Sequence, residues 1–80
     1  MTESETKAAL KQWVAKSSGK VSADQLEDDT PIIEQRYITS LQVMDLILQI
    51  EKMTGKPVDV EQLKPGTFKT INTIYANFFA

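Results

Sequence analysis

The sequence contains no cysteine and no histidine. Without cysteine the chain has no disulfide, no thiolate nucleophile and no sulfur ligand for a metal ion. Without histidine it lacks the side chain that most often serves as a general base or a metal ligand near neutral pH. These absences argue against an enzyme with its own catalytic groups, and we expect no metal site.

Long apolar runs and strong charge are also missing. No apolar stretch reaches membrane length, so we expect no membrane insertion. The first residues, Met1–Glu5, are polar and acidic where a secretory signal would be basic and then apolar, which predicts a cytoplasmic protein. The net charge of −2 gives no broad attraction to nucleic acid, which is therefore not an expected partner.

The residues that are present have the composition of an ordinary globular protein. Hydrophobic residues make up 41% of the 80 residues and charged residues 25%. A chain of this length forms one domain, residues 1–80, with a single thin core. We expect a monomer.

Helical periodicity predicts a first helix over Glu3–Ser17 and a second over Ser40–Thr54. Thr39 and Gln42 stand three residues apart, as in a capping box. This spacing places Thr39 at the N-cap of the second helix, so the Ser40 hydroxyl is not needed for capping.

Two shorter signals follow the second helix. Asp59 can cap one helical turn at Val60–Lys64, and an apolar stripe predicts a last helix over Phe68–Phe79. The sequence therefore predicts an all-α four-helix bundle with three long helices and one short helix.

Residues 20–39 have no sustained period, which predicts a long ordered loop between the first two helices. Loops of this length are uncommon in compact domains and are usually functional, and this one needs side chains that hold it to the core. The available anchors are Val21, Leu26, Ile32, Ile33 and Ile38.

The second helix has apolar residues on two opposite sides. One side suffices for the core of a small bundle and consists of Val43, Leu46, Ile47 and Ile50. The opposite side carries Leu41, Met44 and Leu48, with Asp45 and Lys52 beside them. An exposed apolar stripe edged by charge is typical of a contact surface for other proteins. The alternative is that the long loop folds over this stripe and makes it core.

Ser40 is predicted at the first turn of the second helix. There its hydroxyl lies near unpaired backbone N–H groups and the positive end of the helix dipole, a setting that favours an attached anion. Position alone does not establish a function, because most serines near a helix start cap the helix or face water.

Six short segments along the chain, taken in order, form a recognisable pattern. They are Asp29-Thr30-Pro31-Ile32-Ile33-Glu34, Ile38-Thr39-Ser40-Leu41, Val43-Met44-Asp45-Leu46-Ile47, Glu51-Lys52-Met53-Thr54-Gly55, Pro57-Val58-Asp59 and Thr67-Phe68-Lys69-Thr70. With the amphipathic first helix, this pattern resembles the acyl carrier protein and peptidyl carrier protein superfamily over essentially the whole sequence. The resemblance implies a four-helix bundle of the acyl-carrier-protein type.

The resemblance also implies site residues. In that family the attachment serine opens the second helix and is followed by leucine, which implies that Ser40 bears 4′-phosphopantetheine, donated by coenzyme A. Partner contacts are implied at Leu41, Met44, Asp45 and Leu48. Arg36, four residues before Ser40, is a further candidate for contact with the phosphodiester or with an acidic group of a partner.

Two departures from the family pattern stand next to this site. Thr39 occupies the place of the usual aspartate, which affects the choice of phosphopantetheinyl transferase. Arg36-Tyr37-Ile38 replaces the lead-in of two glycines and a histidine or aspartate that is typical of carrier domains within peptide synthetases. We therefore expect a discrete carrier protein.

The resemblance implies a protein that is not itself an enzyme. It would hold an acyl or aminoacyl group as a thioester and present it to partners: a phosphopantetheinyl transferase, adenylating or acyl-transferring enzymes and downstream biosynthetic enzymes. A specialised pathway, such as polyketide or nonribosomal peptide synthesis, is the first hypothesis. The alternatives are the carrier of fatty acid synthesis and, in a different class, a helical protein-interaction module without a prosthetic group.

Overall fold

The structure, a computed structural model, describes residues 2–80. In this part of the chain it has three α-helices, which are α1 (Glu3–Ser18), α2 (Ser40–Thr54) and α3 (Ile71–Phe78). Two three-residue 3₁₀ turns, Ala23–Gln25 and Val60–Gln62, lie in the connections. The chain therefore folds as a compact all-α globule with a long connection between α1 and α2, and none of the helices described is long and apolar enough to cross a membrane.

The first helix is capped at both ends. Thr2 is its N-cap, and the Thr2 Oγ1 accepts a hydrogen bond of 3.1 Å from the backbone N–H of Glu5. Gly19 ends the helix in the left-handed conformation, with φ of 69°, and donates its N–H to the carbonyl of Ala15. The predicted first helix is confirmed to within one residue.

The long connection contributes three side chains to the core. Leu26, Ile32 and Ile38 are buried, as predicted, and Val21 packs against them from a half-buried position. Ile33 was expected to be an anchor, and this expectation is wrong because its side chain is 37% exposed. The two isoleucines lie in a tight turn, in which the Ile32 side chain faces the core and the Ile33 side chain faces away from it.

The last helix is shorter than predicted because Thr70 starts it. Thr70 and Thr73 exchange hydrogen bonds of 3.1 and 3.0 Å between side-chain hydroxyl and backbone N–H, as in a capping box. Phe68 therefore lies in the turn before α3, where it is buried and stacks on Phe78 with ring centroids 5.6 Å apart. The predicted helix over Phe68–Phe79 is wrong at its start by three residues.

The single turn predicted after Asp59 is present as the 3₁₀ turn Val60–Gln62. The Asp59 carboxylate caps it by accepting the Glu61 N–H at 3.1 Å. In place of three long helices and a short one, the described chain has two long α-helices, one α-helix of eight residues and 3₁₀ turns.

The core joins all three helices to the long connection. Its buried members are Leu10, Val14, Leu26, Ile32, Ile38, Leu46, Ile47, Ile50, Phe68, Ile71 and Ile74. Two backbone hydrogen bonds fix the connection to the segment around the start of α3: Ile32 N–H to the Lys69 carbonyl, 3.0 Å, and Asn72 N–H to the Asp28 carbonyl, 2.9 Å.

Charged side chains fix the same connection to α1. The Asp28 carboxylate pairs with Lys11 at 2.7 Å and with Lys7 at 3.6 Å. The hydrogen bond from Lys11 is the main cause that lowers the pKa of Asp28. Lys7 also donates to the Asn72 side chain at 2.9 Å and lies 5.3 Å from the centre of the Tyr75 ring, so α1, the connection and α3 meet at this network.

Candidate functional site

The start of α2 is fixed by the side chains on either side of Ser40. Thr39 Oγ1 accepts the Gln42 N–H at 3.3 Å, and Gln42 Oε1 accepts the Thr39 N–H at 2.9 Å. The predicted capping box is therefore confirmed. The Gln42 Nε2 also donates to the Ser17 carbonyl at 2.9 Å, which ties the first turn of α2 to the end of α1.

Ser40 is the first residue of α2, and its side chain is exposed. Within residues 2–80, no hydrogen bond uses its hydroxyl. The first turn of a helix presents unpaired N–H groups and the positive end of the helix dipole, so a negatively charged group attached to this oxygen is electrostatically favoured. An accessible, unpaired hydroxyl in this setting fits the attachment of a phosphodiester.

The apolar stripe of α2 is open to solvent. Leu41, Met44 and Leu48 are 82%, 58% and 64% exposed, and Asp45 beside them is exposed as well. The opposite side of the helix packs into the core through Leu46, Ile47 and Ile50. The alternative in which the long connection covers the stripe is therefore wrong, and four of the predicted partner-contact residues lie on one surface.

Arg36 precedes this surface in a strained backbone conformation. Its φ is 62°, the left-handed region that is costly for a residue with a Cβ, and its side chain is exposed. In the described chain its guanidinium makes no hydrogen bond or ion pair. Its role toward a phosphodiester or a partner stays a prediction.

Glu51, a second acidic residue of α2, is engaged within the molecule. Its carboxylate accepts the Val58 N–H at 2.7 Å and so holds the segment after α2 against the helix. Lys52 is exposed in the last turn of α2. Asp45 is consequently the acidic residue of α2 that faces solvent without such a bond.

A groove of about 440 Å³ lies beside Ser40. Its apolar lining comes from Ile33, Val43, Leu63 and Phe68, and its charged lining from Glu34, Lys64 and Lys69. Sequence reasoning missed this groove because its walls come from three segments that are distant along the chain. No local sequence signal could have found it, because the groove depends on how these segments pack together.

Other hollows lie away from Ser40. One of about 720 Å³ lies between α1 and residues 23–28, but Lys7 and Lys11 in its wall already pair with Asp28. A cluster of three or more His, Cys, Asp or Glu side chains suited to a metal ion does not occur in the part of the chain that the structure describes.

Comparison with protein families and with curated proteins adds no relative to these observations. No protein-family model matches the chain, and a search of curated proteins finds no match. The assignment of a function therefore depends on the setting of Ser40, the stripe of α2 and the groove.

Proposed function

We propose that this chain is a discrete carrier protein of the acyl or peptidyl carrier type, with 4′-phosphopantetheine attached to Ser40. The observation that carries the proposal is the exposed, unpaired Ser40 hydroxyl at the first residue of α2, next to an open apolar stripe. A hydroxyl that neither caps the helix nor packs in the core is accessible to a modifying enzyme.

We also propose that the fold is of the acyl-carrier-protein type. The order of a long helix, a long ordered connection, a second long helix, a short turn and a closing helix supports a fold of the carrier-protein type. In this interpretation the 3₁₀ turn Val60–Gln62 stands in the place of the short third helix, and the chain is a variant of the acyl-carrier-protein bundle.

Ser40 would act as a substrate of a transferase. Its Oγ would displace adenosine 3′,5′-bisphosphate from coenzyme A and become the bridging oxygen of a phosphodiester, and the transferase would accept its proton. The chain has no histidine that could take this proton. The attached group supplies the thiol that holds an acyl group as a thioester, a function that a chain without cysteine cannot supply.

The partners would bind at the stripe of α2. Leu41, Met44 and Leu48 offer an apolar ridge beside the attachment site, and methionine adapts to sockets of different shape. A small contact surface suits encounters that must be brief, because the carrier has to leave each enzyme for the next. The modifying transferase and the adenylating or acyl-transferring enzymes would share this surface.

We propose a specialised pathway over fatty acid synthesis. The carrier of fatty acid synthesis is typically far more acidic along its second helix. In this chain α2 has two acidic residues, and one of them, Glu51, is hydrogen-bonded to Val58. Asp45 alone offers little attraction to the strongly basic surfaces that an acidic helix attracts.

The test is a loading reaction followed by intact mass measurement. The apo protein is incubated with coenzyme A and a transferase of broad specificity, in parallel with the variants Ser40→Ala and Ser22→Ala. Ser22 is a matched control because it is also an exposed serine that precedes a helical turn. We expect wild type and Ser22→Ala to gain one phosphopantetheine and Ser40→Ala to gain none. No gain by wild type, or a gain by Ser40→Ala, would contradict the proposal.

A second candidate function is a protein-interaction module without a prosthetic group, which the exposure of Leu41, Met44 and Leu48 favours independently of Ser40. In that case wild type stays unmodified in the loading reaction, and substitution of Leu41 or Leu48 still abolishes binding to its partner.

A further inference from the structure

We infer that Lys64 and Lys69 hold the phosphodiester on Ser40, so that the first part of the arm lies in the groove instead of extending freely into solvent. This inference rests on the proposed function. It assigns a positioning role to two lysines that come from the turn before α3, far from Ser40 in the sequence.

The first support is the shared groove. Ser40, Lys64 and Lys69 all line it, and the flexible four-carbon stem of a lysine allows its ammonium to move toward an anion within the same groove. An added phosphodiester on the Ser40 Oγ would enter the space that these two side chains border.

The second support is that hydrogen bonds hold the backbone of both lysines in place. The Lys64 carbonyl accepts the Thr67 hydroxyl at 2.7 Å and the Thr67 N–H at 3.2 Å. The Lys69 carbonyl accepts the Ile32 N–H at 3.0 Å. Because these bonds use main-chain atoms, the lysine side chains can be replaced without loss of the turn.

The third support is charge. The ion pairs among residues 2–80 use Lys7 and Lys11, and Lys64 and Lys69 take part in none of them. Glu34 is the one acidic residue in the lining, so the groove carries an excess of one positive charge. A phosphodiester carries one negative charge and would make the groove neutral.

The fourth support is the apolar lining. In phosphopantetheine a carbon with two methyl groups follows the phosphate closely, before the first amide. Ile33, Val43, Leu63 and Phe68 line the groove next to the lysines, and Ile33 is left part-exposed by the fold. An anion followed by a branched apolar group matches two lysines followed by an apolar wall.

The test compares NMR spectra of the apo and loaded proteins. The variants are Lys64→Gln with Lys69→Gln in one chain, and the matched control is Lys16→Gln with Lys20→Gln, two exposed lysines outside the groove. Intact mass first establishes that each protein is loaded. The readouts are the amide shift changes on loading and the nuclear Overhauser contacts between the methyl groups of the arm and the Phe68 ring.

In wild type and in the control we expect loading to shift the amides of residues 63, 64 and 66–69 and to give contacts between the methyl groups of the arm and Phe68. Each exposed lysine–anion pair changes the ratio of docked to free arm about two- to fivefold, so the double variant should lose most of both signals. Added salt should weaken them in wild type as well, because these charges are at the surface.

Two results would overturn the inference: shift changes in loaded wild type that stay within residues 39–43, or unchanged signals in the double variant. Both require a protein that has gained the arm. A wild type that gains no mass would instead contradict the proposed function, so the two failures are distinguishable.

Discussion

At the scale of single residues, the start of α2 divides two roles between neighbouring hydroxyls. Thr39 satisfies the helix terminus, and Ser40 has no structural partner in the described chain. The sequence predicted this division because a capping box is a local pattern of four residues. It did not predict that Gln42, besides closing the box, would bind the Ser17 carbonyl, since that contact depends on how α1 and α2 pack.

The two hydroxyls should therefore differ in their effect on stability. Thr39→Ala removes an N-cap and should lower the free energy of unfolding by about 1 kcal/mol. Ser40→Ala should change it by no more than about 0.5 kcal/mol, as expected for an exposed side chain without a partner. Urea denaturation of the apo proteins measures both. A larger loss for Ser40→Ala would show that the hydroxyl has a structural role.

At the scale of elements, α2 was predicted most accurately because both of its ends carry local signals. Thr39 begins it, and Gly55, in the left-handed conformation with φ of 72°, ends it. The start of α3 was predicted too early because Phe68 continues the apolar period of that helix. The helix instead begins after its N-cap, Thr70. This capping box is harder to recognise in the sequence because Thr73 stands in place of the usual Glu or Gln.

The two apolar sides of α2 should respond differently to truncation. Leu46 is fully buried, and Leu46→Ala should cost about 2–5 kcal/mol of unfolding free energy. Leu48→Ala removes the same atoms from an exposed position and should stay within about 0.5 kcal/mol of wild type. Chemical denaturation distinguishes them, and comparable losses would mean that the stripe is part of the core.

The ion pairs that join α1 to the long connection should make stability depend on acid. Folding lowers the pKa of Asp28, so its ionised form stabilises the fold at neutral pH. This contribution is lost as the pH falls below the ordinary aspartate value of about 4. Because the carboxylate is partly exposed, Asp28→Asn should cost no more than about 1 kcal/mol at neutral pH.

Urea denaturation of wild type and Asp28→Asn at neutral pH and in acid, well below the ordinary aspartate pKa, measures this contribution, because protonation of Asp28 removes its charge. The difference between the two proteins should shrink in acid and at high salt. An equal difference at both pH values would contradict a role for the charge.

At the scale of the whole molecule, the long connection is part of the core. Leu26, Ile32 and Ile38 are buried among the helices, and a backbone hydrogen bond joins Ile32 to Lys69. Their burial was predicted because a long ordered loop needs apolar side chains that anchor it to the core. The groove was not, because it requires the relative positions of the connection, α2 and the turn before α3, which no local pattern encodes.

A buried residue of this connection should therefore contribute as much to the free energy of unfolding as a buried residue of a helix. Ile38 is 1% exposed, and Ile38→Ala should cost about 2–5 kcal/mol. Ile33→Ala, the matched change at the exposed neighbour, should cost less than about 1.5 kcal/mol. Thermal and urea unfolding give both values, and a small loss for Ile38→Ala would indicate a connection that is not packed on the core.

The central claim is that the molecule exists to present a group attached to Ser40, and peptide mapping of the loaded protein tests it most directly. The wild-type protein is loaded from coenzyme A, digested and analysed by tandem mass spectrometry. We predict a single phosphopantetheine on the peptide that contains Ser40. An unmodified Ser40, or an arm attached to any other residue, would contradict the claim.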